Sequence, residues 1–137
     1  MTFAIDPRIN ADSQLVATRD NFQIRLMDDE RFFWVLIIPE TEGATELHDL
    51  DLPTFDALMM MARGLGEAIK AGDQADKINT AAIGNVVSQL HLHVIARHRT
   101  DPAWPAPVWG HSTPGPASPE TTARRVAIIN SWVNGNA

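Results

Sequence analysis

The sequence predicts an α+β fold, an antiparallel sheet with helices packed on it. Three observations carry that expectation. Apolar, β-branched runs come in two close pairs, at 21–27 with 32–38 and at 77–83 with 86–96. Between the pairs, Leu58, Met61, Leu65, Ala68 and Ile69 recur at three- and four-residue spacing, the stripe of one long amphipathic helix. Within each pair the links are short, which suits antiparallel neighbours and excludes helical crossovers.

Taken in order, Asp6-Pro7 starts a short helix whose apolar side is Ile9, Leu15 and Val16. Phe22, Ile24 and Leu26 then alternate with Asn21, Gln23 and Arg25, the period of a half-buried strand. After the polar break at 28–31, the aromatic and branched run 32–38 reads as a largely buried strand ended by Pro39. Residues 40–51 carry Gly43 and several acids and form a surface connection. Pro53 suits the first turn of the long helix and Gly72 its stop. Gly84-Asn85 accepts positive φ, so a tight hairpin is expected between the strands 77–83 and 86–96.

From Asp101 onward the composition changes. Six of the nine prolines fall at 102, 105, 107, 114, 116 and 119, with Trp104 and Trp109 among them. No helix or central strand accommodates that density, so 101–118 is expected to lie over the body as an extended arm. A final helix follows over 119–133, with Thr122, Val126, Ile129 and Val133 at helical spacing and Asn134-Gly135 closing it. With no internal repeat and no boundary signal, one domain over 1–137 is expected.

Composition narrows the function. The chain has no cysteine, which excludes a disulfide framework, a thiolate metal site and a catalytic thiol. Its N-terminus lacks a basic stretch followed by an apolar core, and no apolar run is long enough to span a bilayer, so the expected location is cytoplasmic, away from membranes. A net charge of −6 argues against stable nucleic-acid binding, which needs a basic face. A small phosphorylated ligand remains compatible with it.

The chemistry concentrates in Ser88-Gln89-Leu90-His91-Leu92-His93-Val94-Ile95-Ala96. Read as a strand, it sends Gln89, His91 and His93 to one face, roughly 6–7 Å apart, and Leu90, Leu92 and Val94 to the other. A polar row is costly under apolar packing and suits the floor of a ligand site. Neutral imidazole is also a good nucleophile toward phosphorus, provided its other nitrogen donates to a fixed acceptor.

Residues 84–95 resemble the histidine triad (HIT) family of nucleotide-binding hydrolases and transferases. The family's pattern is His-φ-His-φ-His-φ-φ after a Gly-Gln-x-Val type turn, and the run here is Gly84-Asn85-Val86-Val87-Ser88-Gln89-Leu90-His91-Leu92-His93-Val94-Ile95. The resemblance covers residues 20–98. Trp34-Val35-Leu36-Ile37-Ile38-Pro39 looks like the family's Pro-ended strand, residues 47–52 like the lead-in to its long helix, and Asn79 falls where many relatives have an asparagine. What the resemblance implies is a HIT-like sheet of about five strands and a symmetric homodimer. It also implies a purine nucleotide substrate, either a phosphoramidate or a dinucleoside polyphosphate. On this match His91 is the catalytic nucleophile, forming a nucleotidyl-histidine, and His93 assists by bonding a phosphate or leaving-group oxygen and, when protonated, offsetting charge. Gln89 replaces the first histidine; its amide can still donate but carries no charge. Asn79, Asn85, Leu26 and Trp104 are the candidate substrate-binding residues, Trp104 by stacking on a base. No cofactor and no metal is implied.

Two other readings stay open. A nucleotide-binding or sensor protein would keep the fold while Gln89 has removed turnover. A metal enzyme would use the His91-x-His93 pair with His98 or His111 as third ligand, although no carboxylate follows at the spacing of cupin-like barrels. His48, His98 and His111 are otherwise read as surface or core residues without chemistry.

Overall fold

The computed structural model describes residues 2–135; Met1, Asn136 and Ala137, part of the expected span 1–137, lie outside the described residues. The chain runs through α1 (Pro7–Asp12), β1 (Ser13–Arg19), β2 (Phe22–Met27), β3 (Phe33–Pro39), a short 3₁₀ turn (Leu47–Asp49), α2 (Leu52–Gly72), β4 (Lys77–Ala81), β5 (Leu92–Arg97) and α3 (Pro119–Gly135). The five strands form one sheet in the order β1-β2-β3-β5-β4, every neighbouring pair antiparallel.

α2 begins where Asp51 accepts the Thr54 amide at 2.8 Å, next to Pro53, and ends at Gly72. Its buried stripe of Leu58, Met61, Ala62, Leu65, Gly66 and Ile69 lies on the sheet. There it meets Ile24, Leu26, Val35, Ile37, Leu92 and Val94 in the main core, to which α3 adds Ile129. The two helices approach closely. A Cβ on Gly64 would stand 2.8 Å from the Trp132 ring, so that position needs a glycine.

Alternate residues of the same strands face the other way. Trp34, Leu36, Ile38 and Ile95 join Phe32, Ile9, Ala103 and Val108 in a second cluster, against which Phe3, Ile5 and Trp109 pack. This face is covered by the N-terminal segment, α1 and the arm. The arm has neither helix nor strand, as its prolines predict. It is anchored by Arg97 at the end of β5. Arg97 donates to both carboxylate oxygens of Asp101 (2.8 and 3.0 Å), to Asn79 Oδ1 (2.8 Å) and to the Ala106 carbonyl (2.8 Å). Asp101 accepts in addition from the amides of His98, Ala103 and Trp104. Burial pushes its carboxyl up, but the Arg97 guanidinium and these amides outweigh that and hold it at about 2.

Two expectations about elements are corrected. Leu15 and Val16 do not extend the first helix; they belong to β1, a half-exposed edge strand joined to β2 by a two-residue turn. In that turn Asp20 and Asn21 take φ of 51° and 66°. The tight hairpin at Gly84-Asn85 does not form either. β4 stops at Ala81 and β5 starts at Leu92, leaving residues 82–91 as an irregular link. Ile83 and Val86 are 44% and 81% exposed there, so the apolar run lacks the packing that would make it a strand. The link is tied elsewhere, the Leu90 amide donating to Ala44 at 3.0 Å. Among the described residues, no helix is long and apolar enough to cross a membrane.

Candidate functional site

β5 is a central strand, so its side chains are positioned from both flanks. His93 sits opposite Leu36 of β3 and Ala81 of β4. Strand alternation sends Leu92, Val94 and Ala96 into the helix-side core and His93 and Ile95 toward the arm. His91 lies just before the strand, and the two imidazoles meet edge to face with ring centres 4.9 Å apart. Both are largely buried, at 9% and 5% exposure.

Each ring has a defined proton. His91 Nδ1 lies 2.6 Å from the carbonyl oxygen of Gln89. A carbonyl only accepts, so Nδ1 carries the hydrogen and the lone pair is at Nε2. His93 is the opposite case. Its Nδ1 lies 2.8 Å from the indole nitrogen of Trp34, a group that only donates. Nδ1 is therefore the acceptor, and the hydrogen of the neutral ring sits on Nε2. Burial, followed by the neighbouring His91, lowers the His93 pKa to about 3. With Nδ1 already accepting, burial favours the neutral ring, which runs against the expectation that a protonated His93 offsets charge.

His91 borders a cleft of about 250 Å³ whose other walls are residues 45–48, residues 82–84, Gln89 and Leu90. Asp49 shapes one wall by accepting the amides of Thr45 and Glu46 and the Thr45 hydroxyl. Those donors, Thr45 first, lower its pKa. His48, set aside in the sequence reading, is the second imidazole lining this cleft. Only the fold brings residues 45–48 beside His91, and nothing in the local pattern of the acidic connection marks His48 for a site.

Other candidates fall differently. Gln89, like His91, lies in the link and not on the strand that carries His93; its Oε1 accepts the Asp6 amide at 2.8 Å and its Nε2 donates to the Ala4 carbonyl at 2.9 Å. Both ends of the amide are committed to the N-terminal segment. Asn79 faces the arm side, where its Oδ1 accepts from Arg97. Asn85 is exposed in the link. Leu26 is corrected: it is 2% exposed in the helix-side core, paired with Val35, on the face opposite His93. Trp104 lies against the Arg97 guanidinium at 5.8 Å. The arm's ring beside the site is instead Trp109, centred 5.0 Å from His93 and edge to face with it. Trp34 escaped sequence reading because it looks like any residue of an apolar strand; only the β3–β5 register brings it to His93.

His98 bonds the Asp73 carbonyl at 3.1 Å and His111 packs on Phe32, so neither joins the pair. Among the described residues, no three His, Asp or Glu side chains gather as a metal-ligand set. Nor does His93 present a lone pair outward, since its outer nitrogen bears the hydrogen.

Comparison with known proteins agrees with this arrangement. The family model described as HIT domain matches residues 8–100. A histidine triad protein from Sinorhizobium meliloti is 35% identical, with a TM-score of 0.91 over 95% of this chain and 96% of that one. One from Marinobacter aquaeolei is 34% identical, with a TM-score of 0.94 over 100% of both chains. A third, from Bradyrhizobium japonicum, is 29% identical, with a TM-score of 0.94 over 97% of this chain and 99% of that one. None of the curated proteins compared gives a significant match.

Proposed function

The chain belongs to the HIT-domain family, whose members generally bind or hydrolyse nucleotides. From that premise we propose that it is a nucleotide hydrolase or nucleotidyl transferase acting by double displacement at His91. The observation that carries the reading is the 2.6 Å contact from His91 Nδ1 to the Gln89 carbonyl. It leaves an unprotonated Nε2 on a ring that borders the cleft.

In the first displacement the Nε2 lone pair forms a bond to the α-phosphorus while the bond from phosphorus to the leaving group breaks. The electron pair departs with the leaving group. The ring becomes a cation, stabilised by the carbonyl that holds Nδ1–H. Water or another acceptor then attacks phosphorus, Nε2 leaves with its pair, and the acceptor's proton passes to solvent. His93 supports both steps as a neutral Nε2–H donor to a phosphate oxygen. His48 is the further imidazole within the cleft. The substrate class, taken from the family resemblance, is a purine nucleotide joined to phosphate or to an amine.

The test is intact-protein mass after brief, acid-free quenching with a dinucleoside polyphosphate or an adenosine phosphoramidate. Wild type gains a nucleotidyl increment; His91→Ala gains none and loses roughly a thousandfold or more in turnover while still binding mononucleotide. Full activity in that variant overturns the assignment. A non-catalytic nucleotide sensor is the second reading, supported by the commitment of the Gln89 amide to the N-terminal segment. Binding by calorimetry with neither increment nor turnover selects it. A homodimer is also proposed, through the open edge strand β4 and the groove it forms with α2 between Met59, Ala62, Ile78 and Thr80. Sedimentation at micromolar concentration tests it.

A further inference from the structure

We propose that Trp34 is a positioning residue that locks His93 as a neutral hydrogen-bond donor, so that the site selects leaving groups that depart without taking a proton. The proposal rests on the double-displacement reading of His91 and names the substrate class within it. Trp34 is only 7% exposed, and its indole N–H donates to His93 Nδ1 at 2.8 Å. The ring centres are 5.7 Å apart, and Trp109 closes the other side of His93 at 5.0 Å. For His93 to become an imidazolium, Nδ1 must gain a hydrogen that points at the indole N–H, two donors facing each other in a buried place.

The surroundings offer no compensation. From the link, the neighbour is His91; on β5 itself, Arg97 is cationic and taken by Asp101; β3 presents Trp34 and Leu36, β4 Ala81, and the arm Trp109. No carboxylate of the described residues bonds the His93 ring. The low His93 pKa is the expected result of this packing.

The consequence is chemical. A neutral imidazole N–H donates a hydrogen bond but is too weak an acid to give up its proton. When the P–O bond of a phosphoanhydride breaks, the oxygen leaves with the electron pair as a stable phosphate anion, and the His93 donor suffices. When a P–N bond breaks, the nitrogen must be protonated to leave as an amine, and His93 cannot supply that proton. His91 cannot either, since its hydrogen stays on Nδ1 against Gln89. The His91–His93 pair is therefore matched to a nucleoside polyphosphate, whose leaving group is another phosphate, over a phosphoramidate, for which His48 on the cleft wall is the one remaining imidazole among the described lining residues.

The lock is read first without substrate, by ¹⁵N shifts of the His93 ring in the wild-type protein. The expected result is an Nε2-protonated neutral ring with no titration between pH 5 and pH 8. An Nδ1-protonated form, or a midpoint inside that range, overturns the proposal. Trp34→Phe removes the donor, and a mixture of tautomers and an altered acid limb of kcat are then expected, with unfolding checked by circular dichroism. An unchanged tautomer and pH profile in that variant likewise sink it. Turnover is then compared for diadenosine tetraphosphate and adenosine phosphoramidate. A wild-type preference of at least tenfold in kcat for the polyphosphate is expected, and equal rates refute the selection of leaving group. Loss of both activities with no nucleotidyl-His91 would instead remove the functional reading, while the ring shifts still report on the lock.

Discussion

On its helix side the sheet presents Ile24, Leu26, Val35, Ile37, Leu92 and Val94 to two long helices, whereas on its arm side it presents Trp34, His93, Arg97 and Asn79 to a face covered by the irregular arm, the N-terminal segment and the short helix α1. The first interface needs only shape and apolar area, a non-directional attraction that a helix stripe satisfies. On the second, Arg97 and the Trp34–His93 pair are buried polar groups, each stable only because a particular partner meets it. The polar groups of the candidate site therefore gather on the arm side, where proton positions and charges are set by single bonds. The helix side supplies the rigidity that keeps those bonds in register.

The sharpest way to break this comparison is to remove a partner on the arm side. Asp101→Ala leaves the Arg97 guanidinium, 2% exposed in its side chain, without its carboxylate. A loss of roughly 3–5 kcal/mol in urea unfolding is expected, with faster proteolysis within 101–118. A change under about 1 kcal/mol would mean that the ion pair does not hold the arm. On the helix side, Leu65→Ala, at a position with 0% exposure, should cost about 3 kcal/mol through its cavity. The nucleotidyl increment at His91 per folded molecule should be unaltered; loss of it would show that the two faces are not independent.

The pH response separates the faces more finely. His93 has its folded pKa lowered from 6.5 to about 3, so between those values the unfolded chain binds a proton that the folded chain does not. Stability is complete above the unfolded value and falls as pH drops below it, by about 2 kcal/mol at pH 5 relative to neutrality. His93→Gln should lack that component, and identical pH dependence in the two proteins would contradict the neutral ring. The smallest effect is expected for Gln89→Ala, about 1–2 kcal/mol from two lost hydrogen bonds. Faster amide exchange around residues 4–6 should accompany it; unchanged exchange there would show that Gln89 does not hold the segment.

The contrast between the faces also explains what was legible beforehand. β2 and α2 were readable from the periodic spacing of their apolar residues and β3 from its continuous apolar run, buried at every position. β1 was not, because a register shift between Leu15 and Ala17 breaks its alternation and Leu15 is 48% exposed. The Asp20-Asn21 turn was the signal that could have revealed it. The link 82–91 misled in the other direction, since Val86 and Val87 have strand propensity without strand pairing. Within the site, His91 and His93 were legible from their spacing. His48 and Trp34 were not, since each reaches the histidines from another element.

Sequence alone determined the antiparallel α+β architecture, the proline-rich arm and the histidine pair, because periodicity, proline chemistry and residue type act over a few neighbours. Tertiary structure decided which nitrogen of each imidazole carries the hydrogen, that Gln89 serves the N-terminal segment, and that Trp109 rather than Trp104 covers His93. Those outcomes depend on hydrogen bonds and packing between residues far apart in the chain, whose register is set only when the whole sheet has closed on its two different faces.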